Sequence, residues 1–585
     1  MKNLTKIFMA VAALVAFSCT TDVTEDLRAD LGGKTTLTFS LEESRTQLGV
    51  KAGSLYPVTW CADDAISVNG VTSSSIVIAD GGNVATFEFN GTLNRPYCVA
   101  YPATTEGNVL FADQQTYTAG TFANGAATMY GYAEAEGGIT LKHLTGVLKV
   151  GIIGNGETLS YAQVSTADRA AIAGNFALDF ESGEVSATSA SKELIGYSFG
   201  EGVTLSSEPT YMHIAVPAGE YNELYITLYS KDGGVMYATV KAGDNKPVKA
   251  GTVREFSNNI IYTPNASVYV IRDKESLKGF AAAVADADSA YTKDALMVAD
   301  VDMTGEDWTS INWKSASQGT DGVAQIATFH GNGYVIKGLN APLFDTLTAN
   351  VKGLHLRDVK INETVRPNVG SLARWLRATK VGEGLAKPVI SHCSTTGEIT
   401  INCPNFAYDE KRELSAYAPF AAGGLVATCL SADIEDCVNE IDMDVKQIVA
   451  ASNTTTLYPW IGGIVGEIES IDRAVYTAEY CSNFRRLTNK GDLKFHDPYT
   501  GEYTASKYSP IRVSLGGVIG SLATKAYTCE LHDLKNYGNI SLSGTLGHDC
   551  FIAGVVGRPA TADGRNFYNY GDIRHTTPRL QLFRQ

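Results

Sequence analysis

Charge is scarce in this chain. Only 19% of its 585 residues are charged, and 63 Asp and Glu against 47 Lys and Arg leave a net charge of −16. An excess of that sign repels phosphate backbones and anionic headgroups, which excludes electrostatic binding of nucleic acid or of an acidic membrane surface. No segment after the first twenty residues is long and apolar enough to cross a bilayer. The chain holds no C-x-x-C pair, no H-x-x-x-H, no nucleophile elbow, no P-loop and no dinucleotide fingerprint, and its nine histidines are scattered. Long helical periodicity is missing except in one stretch. What fills the sequence instead is 57 Gly, 29 Tyr and many short alternating apolar runs, the composition of an extracellular all-β protein. Its length suggests about three or four domains.

The strongest pattern is an internal repeat. Five copies read apolar, Gly, small, apolar, apolar, small: Val369-Gly370-Ser371-Leu372-Ala373, Ala422-Gly423-Gly424-Leu425-Val426-Ala427, Ile461-Gly462-Gly463-Ile464-Val465-Gly466, Leu515-Gly516-Gly517-Val518-Ile519-Gly520 and Ile552-Ala553-Gly554-Val555-Val556-Gly557, with a weaker copy at Leu343-Phe344. After each comes a second landmark: Cys393 with Gly397-Glu398-Ile399, Cys437 with Asp442-Met443, Cys481 with Asn489-Lys490-Gly491-Asp492-Leu493, Cys529 with Asn536-Tyr537-Gly538-Asn539-Ile540, and Asn569-Tyr570-Gly571-Asp572-Ile573. The second residues of the copies lie 53, 39, 54 and 37 residues apart, too irregular for paired-helix repeats. A coil of short strands tolerates such variation, because extra residues bulge out at its corners. The expectation is a parallel β-solenoid with about three strands per coil.

These residues resemble the GLUG-motif class of β-helix repeat, Gly-Gly-apolar-apolar-Gly followed by Cys-x-Asn-x-Gly-Asp-apolar. The resemblance covers residues 268–585 and implies a right-handed parallel β-helix of a bacterial surface protein, with no catalytic residue in the motif.

Residues 1–18 carry Lys2 and Lys6, then an apolar run from Ile7 to Phe17, the layout of a signal peptide. Ala16-Phe17-Ser18-Cys19 resembles a bacterial lipoprotein box, although Ala16 stands where Leu is usual; it implies cleavage before Cys19 and acylation of that residue, with an ordinary secretory signal as the alternative. Residues 19–33 then form a tether, and lipid on Cys19 is the membrane anchor in a Gram-negative outer membrane. Asp22, Glu25 and Asp26 close behind resemble an export tag for surface display.

Residues 34–138 and 139–263 read as two β-sandwich domains. Strand signals include Thr35–Leu41, Val84–Phe89 and Ile139–Ile153, and a hairpin runs from Leu224–Tyr229 through Lys231-Asp232-Gly233-Gly234 to Val235–Val240. Ser44-Arg45-Thr46 leading to Pro57-Val58-Thr59-Trp60, Leu141-Lys142-His143-Leu144-Thr145-Gly146 and Lys249-Ala250-Gly251-Thr252 resemble fimbrillin-type lipoproteins. That likeness implies two transthyretin-like sandwiches, fimbrial or other surface subunits as partners, and cleavage after an arginine, with Arg28 and Arg45 as candidates; either is equally read as an exposed arginine. A long C-terminal solenoid departs from a polymerising fimbrillin and points to a tip or accessory component, or to a free-standing surface protein.

Residues 264–267 read as a linker. One good helix follows near 273–286: Leu277, Phe280, Ala281 and Val284 share a face, and Asp273 stands at the cap position. A solenoid needs its first coil covered, so the helix is assigned as that cap.

Little in the chain points to catalysis. Asp300, Asp302 and Asp307 read as structural, and the column Glu398, Asp442, Asp492, Asn539 and Asp572 as turn chemistry rather than calcium sites. The outward positions that follow, Thr400, Asp444, Lys494, Ser541 and Arg574, read as an uncoordinated mixture. No catalytic residue, metal site or cofactor is assigned. Cys393, Cys437, Cys481 and Cys529 at one repeat position suggest an inward thiol ladder, and whether Cys61 pairs with Cys98 is left open.

The insertions 404–420, 451–460, 496–510 and 543–549 fall at one place in each coil and carry Phe406, Tyr408, Tyr417, Phe420, Tyr458, Trp460, Tyr499, Tyr503 and Tyr508. Such loops over a rigid scaffold suit contact with a host or microbial glycan or protein, or they pack on themselves. Past Ile573, Arg579–Phe583 reads as a last strand, with no capping helix behind it. The expectation is a non-enzymatic surface lipoprotein acting in adhesion or as a fimbria-associated component. A polysaccharide-active lyase or glycosidase and a purely architectural stalk are the alternatives.

Overall fold

The computed structural model describes residues 33–41, 59–135, 138–166, 170–242, 247–263, 268–287, 290–319, 324–365, 368–406, 417–450, 456–472, 479–497, 513–522, 529–544, 551–558 and 563–575. The chain is all-β with one helix among the described residues, and it divides into two compact units, Met1–Asn265 and Ala266–Gln585.

In the first unit, alternation sets the architecture. Lys34–Leu41 turns Thr35, Leu37, Phe39 and Leu41 inward and leaves the residues between them more exposed. Seven strands built on that pattern close into a barrel, sealed where Phe39–Leu41 pairs in parallel with Ile139–Leu141. Phe39, Phe87, Phe89, Val99 and Leu141 fill it, and Trp60 meets Phe87 and Tyr101 edge-on, at 5.1 and 5.5 Å. Burial of each large side chain contributes about 1.5–3 kcal/mol.

The strand read from the sequence as Ile139–Ile153 is two strands in different sheets. Ile139–His143 completes the barrel, whereas Thr145–Ile153, buried along nearly its whole length, lies between Thr210–Pro217 and Val253–Glu255. Opposite it, Val235–Lys241, Glu223–Ser230, Thr158–Thr166, Leu194–Thr204 and Gln114–Thr116 form a five-stranded sheet. The two sheets share one core of Val150, Ile152, Val164, Ile195, Met212, Ile214, Ile226 and Leu228. The first 34–138 segment is therefore a closed barrel rather than a sandwich, and it also lends strands to its successor: Asn108–Phe111 pairs with Ala173–Leu178, and Gln114–Thr116 with Leu194–Thr204. The expected hairpin is present, with Tyr229 opposite Val235 and Gly233 at φ 88°.

The second unit consists of stacked parallel strands. A 17-stranded, a 7-stranded and a 4-stranded sheet run through the repeats. One register line links Ile399, Met443, Leu493, Ile540 and Ile573; a second links Ala422, Ile461, Leu515 and Ile552; a third links Phe344, Ala373, Val426, Val465, Ile519 and Val556. All three sheets feed one continuous core from Ile271 to Val556. This arrangement is compatible with a parallel β-helix, in which each side chain lies over its equivalent one strand spacing away.

The helix Lys274–Ala285 sits at the start of this core. Asp273 caps it, accepting from the Ser276 amide at 2.8 Å while Ser276 bonds back to Asp273. Its inner face buries Leu277, Phe280 and Val284, and Phe280 meets Trp313, Phe329, Tyr269 and Tyr291 ring to ring. Lys274 and Lys278 both reach Glu306 at 2.6 Å, which holds that carboxyl down at about 2.

Candidate functional site

The repeat motifs occupy the bends of the ladder, and their residue types follow from how closely the repeats approach. Asn439, Asn489, Asn536 and Asn569 form a column in which each Nδ2 donates to the next Oδ1, at 2.7, 2.8 and 2.8 Å. Asn489, Asn536 and Asn569 also donate to the carbonyl two residues on, of Gly491, Gly538 and Gly571. Each carboxamide rests on the glycine at the third place of a repeat copy, preceded by Gly in three copies and by Ala553 in the last. A Cβ at Gly424, Gly463, Gly517 or Gly554 would stand 2.3–2.4 Å from that side chain. The first repeat solves the same problem differently, with Ser371 and Thr395 in these places: Thr395 donates to Ser371 at 3.0 Å, and Ser371 to the Gly424 carbonyl at 2.5 Å. From the sequence alone Asn489, Asn536 and Asn569 carry no assigned role, although each stands two residues before a Gly; Asn439, with Ile441 at that place, lacks even this signal.

A second bend holds a column in the left-handed region: Gly353, His392, Asp436, Arg486, Asp533 and Asn566 all have φ between 50° and 59°. For a residue with a Cβ that conformation costs about 1 kcal/mol. Hydrogen bonds along the column offset it, Arg486 gripping Asp436 at 2.5 and 2.7 Å and Asn566 donating to Asp533 at 2.8 Å.

The acidic column serves the backbone, with a partner other than the expected local turn. Asp442 accepts from the Asp492 amide, Asp492 from the Asn539 amide and Asn539 from the Asp572 amide, at 2.7–3.1 Å, so each ties its bend to the next repeat. Asp300 and Asp302 likewise accept from the Val335 and Thr304 amides, and Asp307 from the Asn340 side chain. Among the described residues no three His, Cys, Asp or Glu side chains are grouped to hold a metal ion.

The four thiols do not form one column. Register sets Cys393 beside Cys437, but the line continues through Leu487, Leu534 and Phe567. Cys481 and Cys529 lie against each other at a different place, where Cys429 faces the Ser482 hydroxyl at 3.7 Å. All are buried free thiols, as are Cys403 and Cys429. Burial pushes Cys403 and Cys429 up to about 12 and raises Cys437 and Cys529, so none is a ready nucleophile. Cys61 and Cys98 are half-buried and unbonded.

The long insertions lie largely outside the described residues, but the strands on either side of them are described: Ser394–Phe406, Val438–Ala450, Leu493–Asp497 and Ile540–Gly544 are paired in order, and so are Tyr417–Gly423, Thr456–Gly462, Ser514–Gly516 and Phe551–Ala553. Of their aromatics, Phe420 is a core residue at 1% exposure and Trp460 is half-buried. Tyr408, Tyr499, Tyr503 and Tyr508 lie outside the described residues, as do the side chains of Phe406, Tyr417 and Tyr458. Cys19, Arg28 and Arg45 lie outside them too.

Four of the five outward positions expected to be an uncoordinated mixture line one groove. Asp444, Lys494, Ser541 and Arg574 fall on one register line and, with His496 and Ser543, line a groove of 390 Å³. The His496 Nδ1 and the Ser543 hydroxyl are 2.8 Å apart.

No known family profile matches the chain, and none of the curated proteins matches it. Solved structures align over parts of it. One is a cell adhesion protein by provisional assignment from Bacteroides ovatus, 11% identical, covering 39% of this chain and 94% of that one with a TM-score of 0.24. A counterpart from Bacteroides uniformis, of the same provisional assignment, is 12% identical, covers 38% and 91%, and scores 0.23. An IgA1 protease is 15% identical over 63% of this chain and 26% of that one, with a TM-score of 0.26. Among the described residues no helix is long and apolar enough to cross a membrane.

Proposed function

We propose that this chain is a non-enzymatic surface adhesion protein, anchored in a bacterial outer membrane through lipid on Cys19, in which a right-handed parallel β-helix carries recognition loops. A fimbria-associated role, as tip or accessory subunit, fits the same reading. The observation that supports it is the register of the flanking strands: the four insertions, of different length, begin and end on strands paired rung to rung, the arrangement a rigid wall needs to carry variable loops. The buried, high-pKa thiols and the carboxylates bound to backbone amides are taken up by the scaffold, which supports an adhesion reading over a lyase or glycosidase built on those groups.

The test is to replace residues 451–455 and 498–512 with short Gly-Asn turns in the full chain. Attachment of cells displaying the protein should fall while thermal unfolding stays unchanged. Unchanged attachment would refute the recognition edge. Cys19→Ala should release the protein from membranes, and retention would refute the anchor.

A further inference from the structure

The groove across the last four rungs holds two cations, Lys494 and Arg574, and one carboxylate, Asp444. Asp444 lies 3.9 Å from the Lys446 ammonium, and Lys494 stands exposed with no ion-pair partner among the described residues. Two rungs further on the same line, Arg574 uses one NH2 on Asp572 at 2.8 Å, and a guanidinium has further N–H groups to give. Between them Ser541 supplies a hydroxyl, and on the next outward line His496 and Ser543 form a hydrogen-bonded pair. Two rungs separate the cations by about 9.6 Å, the rise of a disaccharide in an extended chain.

Four residues upstream of Ser541 and Arg574, across the bend, stand Tyr537 and Tyr570. Their rings stack at 4.6 Å and 13°, and they are 47% and 60% exposed. Tyr568 lies nearly parallel to Tyr570 at 6.3 Å. Of the seven large hydrophobics exposed among the described residues, four belong to these last two repeats, so the patch is local. Exposed aromatic rings on the same repeats as a groove with hydroxyls and spaced cations suit a sugar chain bearing acid groups.

We propose that this face binds an anionic glycan, its carboxylates or sulfates meeting Lys494 and Arg574 and its sugar rings lying against Tyr537 and Tyr570. The inference deepens the adhesion reading and rests on it for its biological meaning, but glycan binding by the purified protein is read independently.

The experiment is calorimetry of the full chain with hexagalacturonate, its methyl ester and a chondroitin sulfate hexasaccharide. At least one acidic probe should bind, roughly tenfold more weakly once Lys494→Gln and Arg574→Gln are combined, and more weakly as salt rises from about 0.15 M to about 0.5 M. The methyl ester should bind roughly tenfold more weakly than hexagalacturonate if that is the probe bound. Tyr570→Ala should weaken acidic and esterified probes alike. Binding of neither acidic probe, or binding untouched by the double substitution, would overturn the proposal. If cells still attach through the protein when Lys494 and Arg574 are replaced, the groove is wrong and the adhesion reading stands. If attachment never depended on the protein while the purified chain binds glycan, adhesion is wrong and the groove stands.

Discussion

The two units use the same residue types under different rules. In the first unit, neighbouring strands run mostly antiparallel; a Cβ on Gly131 would meet the Ile139 and Leu141 side chains at 2.8 Å, but other glycines serve open turns. Gly107 shows this, with φ +78° and nothing within 4 Å of where a Cβ would stand. In the ladder, each side chain lies over its own equivalent, and glycine serves close approach: a Cβ on Gly517 would meet the Gly554 carbonyl at 1.9 Å. A repeat stack therefore renews one backbone constraint from rung to rung, where the first unit meets side-chain crowding at single sites such as Gly131.

The largest expected effect tests that contrast. Gly517→Ala should destabilise the second unit by about 3 kcal/mol, since backbone must move, whereas Gly107→Ala should cost about 1 kcal/mol through its backbone conformation alone. Two denaturant transitions followed by calorimetry separate the units; equal costs would break the comparison. Next comes Asn489→Ala, which orphans Asn439 and Asn536 partners in the core and should cost about 2 kcal/mol. Asn569→Ala, at an exposed rung, should cost less than half as much. Thr395→Asn alone should destabilise and should be rescued by Ser371→Gly, because only the pair reproduces the later repeats.

Acid should separate the units as well. Burial, with Lys149 nearby, pushes His213 down to about 4, so the unfolded chain takes up a proton first. The stability this neutral imidazole contributes to the first unit is present above pH 6.5 and is lost as pH falls toward 4. Glu306, held at about 2 by Lys274 and Lys278, contributes above about 4.5 and loses that contribution as pH falls toward 2. His213→Gln should flatten the first limb and Glu306→Gln the second, in pH-dependent melts. The smallest effect is chemical: at pH 8 a thiol reagent should label Cys61 and Cys98 slowly, and the ladder thiols only after unfolding.

The features legible in the sequence were those written locally. The hairpin at Lys231–Gly234, the cap at Asp273 and the repeated glycine pairs each carry their cause within a few residues. Register was harder, because insertions of unequal length hide which residues meet. Cys437 lies two residues before Asn439, but Cys481 lies eight before Asn489 and Cys529 seven before Asn536, so alignment on cysteine joined two different columns. The strand break at Leu144 left no mark either, since strand-type residues run through Ile139–His143 and on into Thr145–Ile153 with no Pro or Gly at the break. The line Thr400, Asp444, Lys494, Ser541 and Arg574 was legible from its place after the acidic column, but that four of these residues share a groove with His496 and Ser543 was not.

The central claim is that register, and it can be measured by cross-linking. Glu440 and Lys490 pair across adjacent rungs at 2.7 Å. The double variant Glu440→Cys with Lys490→Cys should form an intramolecular disulfide under mild oxidation, while Glu440→Cys with Lys494→Cys should not. Cross-linking of the second pair in preference to the first would contradict the ladder.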